Sequence, residues 1–227
     1  MANKQIIFTK KNTAELLAAE DRKPQPGEVR VKTAVSSISS GTERANITGD
    51  LNTNIYAPPA KEAGFPRFCG YSSAGIAEEV GEGVESIKPG DRVVMYASFH
   101  KLFNVLPEQN VIKIEDENIS FEEAAFCHIG NFPLAAVRKT RLEIGESALV
   151  MGLGTLGLLA VQFARAAGAV PVIAVDPNEG RRKKALKFGA DFAFDPTDKD
   201  FAEKIKELTC GGVNAAIEVT GLGIGLD

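Results

Sequence analysis

The sequence predicts an α/β protein in two parts, a partly open antiparallel β-barrel followed by a doubly wound parallel sheet. Three observations carry that expectation. Short β-prone runs punctuated by Gly and Pro fill the first half, and strand and helix patterns alternate strictly through the second. The change of period falls at a helix-start signature, Ser120 with Glu123 three residues on. The expected domains are therefore residues 1–120 and 121–227.

In the first part, residues 6–8, 15–20 and 29–35 are short β-prone runs, and Pro24, Pro26 and Gly27 supply the turn before the last. The polar stretch 36–49 reads as a loop passing into a short helix, and residues 52–61, with Pro58 and Pro59, read as irregular. Residues 70–84 read as a strand with a glycine-punctuated turn. Lys88-Pro89-Gly90-Asp91 is a turn leading straight into another strand. Residues 99–106 continue the barrel, 111–114 add a short strand, and 121–140 read as helical with Pro133 breaking or kinking the helix.

The second part is organised around residues 148–176. An apolar run at 148–151 suits a strand buried on both faces. Gly152, Gly154 and Gly157 follow in G-x-G-x-x-G spacing and open an apolar helix that Gly168 ends; residues 172–175 make a second buried strand finishing on Asp176. Gly152 permits a tight turn, Gly154 lets backbone N–H groups approach a pyrophosphate, and Gly157 lets helix and strand pack without a Cβ between them. The helix start, Thr155 and Leu156 included, favours negative charge through its free N–H groups and dipole. Asp176 lies about twenty residues past the last glycine, the separation of a carboxylate that accepts both ribose hydroxyls of an adenosine. It would repel a 2′-phosphate, so NAD is expected over NADP. Arg181 is expected to stack on or border the adenine, and Thr220 to border the cofactor groove. The competing reading is a βαβ unit indifferent to phosphate; the order of strand, glycines, helix, strand and terminal Asp weighs against it. A helix over 179–188, a strand over 191–194, a helix over 201–208 and a strand over 215–219 complete the alternation.

The 227 residues are 44% hydrophobic and 25% charged with a formal net charge of −4, which gives no electrostatic reason to bind nucleic acid or an anionic membrane. Cys69, Cys127 and Cys210 are odd in number and widely spaced, so a disulfide framework is not expected and a reducing, cytoplasmic setting is. No run approaches the roughly twenty apolar residues of a membrane span, and the N-terminus lacks the apolar core of an export signal.

The glycine unit, the segment Val80-Gly81-Glu82-Gly83-Val84 with Gly90-Asp91-Arg92-Val93-Val94 downstream, and the helix ahead of the βαβ unit together resemble the medium-chain dehydrogenase/reductase superfamily. The resemblance covers nearly the whole chain and is nearest the zinc-type alcohol dehydrogenase branch. It implies a GroES-like barrel, a Rossmann nucleotide domain, hydride transfer between a nicotinamide and a small alcohol or carbonyl compound, and homodimers or homotetramers. The chain stops after the fourth strand of the nucleotide domain, so that domain is expected to be incomplete at its C-terminus.

The positions matching that branch's catalytic zinc ligands are Ser39, the triplet Gly70-Tyr71-Ser72, and Cys127. One thiol of three does not hold tetrahedral zinc, and His128 beside it points about a hundred degrees away on the same helix. Residues 95–114 carry no Cys for a structural zinc. No metal is expected. The relay positions of the branch fall at Gly41 and Arg44.

Without zinc, charge growing on a carbonyl oxygen needs a hydrogen-bond donor. Thr42 and Tyr71 are the candidate catalytic residues; the competing reading is that Tyr71 packs with its hydroxyl in water. Cys127 reads as a buried inert thiol, His100 as structural, and Glu43 with Arg44 as a solvated pair or substrate clamp. The function expected is that of a zinc-independent, NAD(H)-dependent oxidoreductase. The alternatives are a non-catalytic nucleotide-binding or oligomerisation module and a quinone- or enoyl-reductase type using NADPH.

Overall fold

The computed structural model describes residues 2–51 and 64–221, so the irregular segment expected at 52–61 lies outside the described residues. The chain divides into two compact units, Met1–His128 and Ile129–Asp227. That division lies inside the helical segment after Ser120, C-terminal to the boundary read from the sequence.

The first unit contains strands β1 (Lys4–Lys10), β2 (Thr13–Ala18), β3 (Glu28–Ser36), β4 (Arg67–Phe68), β5 (Ser72–Val80), β6 (Arg92–Tyr96), β7 (Phe103–Pro107) and β8 (Val111–Lys113). Helix α1 (Ser40–Thr48) follows β3. One sheet runs β2-β1-β4 and the other β7-β3-β5-β6-β8, with every pairing antiparallel. Val29, Val31, Ala77, Val93, Met95 and Val111 point into one core, because alternate strand residues face the same side. The pair β3–β5 is unusually close. A Cβ on Gly75 would stand 2.1 Å from the Lys32 carbonyl oxygen, and the register shifts between Thr33 and Val35 at the same place.

The turn ahead of β3 is pinned by Glu28. Its carboxylate accepts from Arg22 Nη1 at 2.5 Å, Arg22 Nη2 at 2.7 Å and the Gln25 backbone N–H at 2.9 Å. The Arg22 hydrogen bonds, against a smaller opposing effect of burial, bring the Glu28 carboxyl down to about 2.

The expected helix over 121–140 is broken upstream of its proline. Ser120 and Glu123 form the predicted capping box on a short helix α2 (Phe121–Ala124). Helix α3 (Cys127–Thr140) then runs on with Pro133 inside it. At the interruption, the Ala125 carbonyl accepts hydroxyls from Ser72 at 2.6 Å and Ser37 at 3.0 Å. Tertiary hydrogen bonds take that carbonyl, and the proline does not end the helix.

The second unit alternates β9 (Ala148–Met151), α4 (Thr155–Ala166), β10 (Val172–Val175), α5 (Glu179–Lys187), β11 (Phe192–Phe194), α6 (Phe201–Leu208) and β12 (Ala215–Glu218). Among the described residues its four strands are parallel in the order β11-β10-β9-β12. Val150 and Val172 pack on one face with Ala160, Val161 and Ala164 of α4, while Leu149, Ile173 and Val175 pack on the other with Ile205 of α6. Both faces are covered, which is why these strands read as continuous apolar runs. The order reverses between β9 and β12, and a crevice at the carboxyl ends of the strands belongs to such a reversal. Among the described residues no helix is long and apolar enough to cross a membrane.

Two outcomes are expected. Ile173 is fully buried, so Ile173→Ala should cost about 2–5 kcal/mol in denaturant unfolding of the second unit. The folded Glu28 carboxyl sits below its unfolded value of about 4.3, so its contribution is present above that value and lost as pH falls through about 2. The stability difference between wild type and Glu28→Gln should therefore shrink across that acid window in parallel unfolding curves.

Candidate functional site

The loop after β9 is shaped by three glycines with three different reasons. Gly152 turns the chain at φ +91°, and a Cβ there would lie 2.9 Å from both the backbone N and Cγ2 of Thr220. At Gly157 a Cβ would stand 1.8 Å from the Gly152 carbonyl oxygen, so the first turn of α4 is pressed onto the loop itself. At Gly154 it would meet nothing within 4 Å. The first position is conformational, the third is a packing requirement, and the middle one faces open space. Gly154 is the N-cap of α4 and no side chain caps that helix, so the dipole and first-turn N–H groups present a site for an anion. Thr155 is exposed and Leu156 half-buried in that turn.

Asp176 ends β10 and is 3% exposed. Its Oδ2 accepts the Leu153 N–H at 2.8 Å and its Oδ1 the Asn178 N–H at 2.8 Å. The carboxylate thus lashes the tip of β10 to the glycine loop. Arg181 Nη1 stands 3.3 Å from Oδ2 with its side chain 55% exposed. Its guanidinium thus rests on the carboxylate at the tip of β10. Thr220 packs on Gly152 and donates its N–H (2.6 Å) and its hydroxyl to Glu218 Oε1. Gly152, Gly154, Gly157, Asp176, Arg181 and Thr220 gather at the carboxyl ends of β9, β10 and β12.

The first unit holds the other candidates. Thr42 is exposed in the first turn of α1, where its carbonyl accepts from Asn46 Nδ2 at 2.9 Å. Tyr71 is half-buried and meets His128 edge-on at 5.5 Å, and His128 stacks on Tyr96 at 5.6 Å. Burial pushes the His128 imidazole below its ordinary value, which favours the neutral ring. Cys127 is exposed at the start of α3, contrary to the buried thiol the sequence suggested. Ser39 offers its backbone N–H to Glu43, and the Ser72 hydroxyl is spent on Ala125. The positions that match a zinc site therefore present hydroxyls, a phenol and one surface thiol, a donor set that does not fit zinc.

A buried polar cluster was not read from the sequence. His100 Nε2 lies 2.8 Å from Glu43 Oε1 and Nδ1 lies 2.8 Å from Ser36 Oγ. Glu43, Cys69 and His100 are all buried. Glu43 is thus no solvated partner of Arg44: it shares an inward helix face with Ile47, four residues on, and that spacing was the available signal. Burial, with the Glu43 charge adding to it, pushes the Cys69 thiol up to about 11.

Comparison with known proteins agrees with this fold. Residues 25–131 match the alcohol dehydrogenase GroES-like domain and residues 155–227 the zinc-binding dehydrogenase family. L-threonine 3-dehydrogenase of Pyrococcus furiosus is 33% identical over 97% of this chain and 70% of its own length. (R,R)-butanediol dehydrogenase of Bacillus subtilis is 31% identical over 89% of this chain and 66% of its own length. A crystal structure of 2R,3R-butanediol dehydrogenase from Bacillus subtilis aligns with a TM-score of 0.82 at 28% identity, over 98% of this chain and 72% of that one. The chain spans about two thirds of the length of the curated relatives it matches. With its curled antiparallel unit, its parallel sheet and its glycine turn, the chain belongs to the medium-chain dehydrogenase/reductase superfamily.

Proposed function

We propose that this chain carries the coenzyme-binding and substrate-side units of an NAD(H)-dependent oxidoreductase acting on a small alcohol or carbonyl compound, without the zinc of its branch. The observation that carries the reading is the juxtaposition at the end of β9. Open space at Gly154, at a helix start with no side-chain cap, adjoins the buried carboxylate of Asp176. A pyrophosphate suits the N–H groups, and a ribose diol suits the carboxylate, whose two oxygens have acceptor capacity beyond the N–H groups they already hold. Asp176 is buried while Arg181 is mostly exposed to screening solvent, so the negative charge decides against a 2′-phosphate. When bound, the nicotinamide supplies or accepts hydride.

On the substrate side, hydroxyl donors take the place of a metal. The Tyr71 phenol, held edge-on to His128, and the exposed Thr42 hydroxyl are assigned to polarise a carbonyl or pass a proton. The relatives are named as butanediol and L-threonine dehydrogenases, which supports a small hydroxy compound as the substrate class. Assembly into homodimers or homotetramers and a cytoplasmic setting belong to the same proposal.

Nicotinamide fluorescence titration tests the coenzyme half. NADH should bind more tightly than NADPH, and Asp176→Ala should weaken NADH by about 10–100-fold, roughly 1.4–2.8 kcal/mol, with a far smaller effect on NADPH. An equal loss for both would overturn the ribose role. Gly154→Ala should leave unfolding within about 0.5 kcal/mol of wild type while lowering NADH affinity about tenfold or more. Gly157→Ala should lose about 1–3 kcal/mol of stability as well, because its Cβ displaces the loop. Tight NADH binding with no turnover across a panel of alcohols and carbonyl compounds would leave a nucleotide-binding module instead.

A further inference from the structure

Among the described residues, one group of three side chains offers donors suited to a metal ion: Glu43, Cys69 and His100, whose ligand atoms lie within 4.8 Å of one another. It differs from the positions that match the zinc site of the branch. Those are Ser39, the Gly70-Tyr71-Ser72 triplet and Cys127, and they share no residue with this group. We propose that Glu43, Cys69 and His100 form a buried binding site for a divalent cation of the zinc class.

The donor set is one carboxylate oxygen, one thiol sulfur and one imidazole nitrogen, a combination that selects zinc-like ions over calcium or magnesium. Ligands about 2.0–2.3 Å from a tetrahedral zinc stand roughly 3.3–3.8 Å apart, so a cluster of this span closes on an ion with small side-chain shifts. The three side chains come from three segments held by their backbones. Glu43 sits on α1, and its Oε1 also accepts the Ser39 N–H at 3.1 Å. Cys69 and His100 are joined by a backbone bond from His100 N–H to the Cys69 carbonyl at 3.1 Å. That contact requires Gly70: at φ +98° a Cβ there would lie 2.6 Å from the His100 nitrogen. The loop bearing His100 is fixed in turn by the buried Asn104, whose side chain accepts the Phe99 N–H and donates to the carbonyls of Phe99 and Lys101.

The outer partners also suit a metal. Ser36 Oγ lies 2.8 Å from His100 Nδ1, so with the ring proton on Nδ1 and donated to Ser36, Nε2 is the nitrogen that ligates the ion in place of its hydrogen bond to Glu43. A hydrogen-bonded second nitrogen of this kind orients a ligating histidine. Charge balance points the same way. Among the described residues the one ion-pair contact of the buried Glu43 is with His100, and a bound cation would sit beside that buried carboxylate. On binding, the Cys69 S–H proton leaves to solvent and the thiolate sulfur takes its place on the ion.

The test uses the full chain, freed of metal by a chelator and then titrated with Zn²⁺ and with Co²⁺. Stoichiometric zinc should survive gel filtration, and the cobalt form should show a sulfur-to-cobalt charge-transfer band. Both should be lost in Cys69→Ser and in His100→Ala, and both kept in Cys127→Ser. Ser36→Ala should weaken zinc about 10–100-fold. Circular dichroism establishes that each variant is folded. If the Cys69 and His100 variants fail to fold, wild type and Cys127→Ser still decide. No stoichiometric metal in wild type, or a cobalt band that disappears in Cys127→Ser, overturns the site. NADH titration of the same samples separates this result from the coenzyme reading, because metal retention and nucleotide binding are scored independently.

Discussion

No side chain fits at position 157, because the Gly152 carbonyl oxygen occupies the place where its Cβ would stand, 1.8 Å away. That steric fact seats α4 directly on the loop leaving β9. Once the helix is seated there, its first-turn N–H groups, the open space at Gly154 and the carboxylate of Asp176 fall at one edge of the parallel sheet. The Asp176–Leu153 hydrogen bond closes the arrangement by tying β10 to the same loop. The nucleotide site proposed at this edge is therefore a consequence of packing before it is a matter of ligand chemistry.

The first unit keeps the scaffold of its superfamily and changes the donor chemistry at one place. Ser72 and Ser37 direct their hydroxyls to the Ala125 carbonyl, and His128 stacks on Tyr96 while meeting Tyr71 edge-on. The buried donors of this unit lie elsewhere, at Glu43, Cys69 and His100, in a place the glycine at position 70 makes possible.

Much of the fold was legible because its signals are local. The Pro-Gly-Asp turn before β6, the capping box at Ser120 and the glycine after α4 each act over a few residues, and each appears where the pattern placed it. The failures share a different cause. The break at Ala125 depends on serines 53 and 88 residues away in the chain. Cys127 proved exposed because the start of α3 faces outward, and no local pattern sets which way a helix start turns.

The sequence by itself determined the α/β class, the order of strands and helices, and the spacing of the glycines and Asp176, since these follow from periodicity, capping and the unique conformational freedom of glycine. Only the tertiary structure decided which buried polar groups meet. Glu43 and His100 are separated by 57 residues and share a hydrogen bond, and Cys69 joins them through a backbone contact that no run of neighbouring residues encodes. Burial of a charge or a thiol depends on what the fold brings against it from elsewhere, and that information is spread over the whole unit.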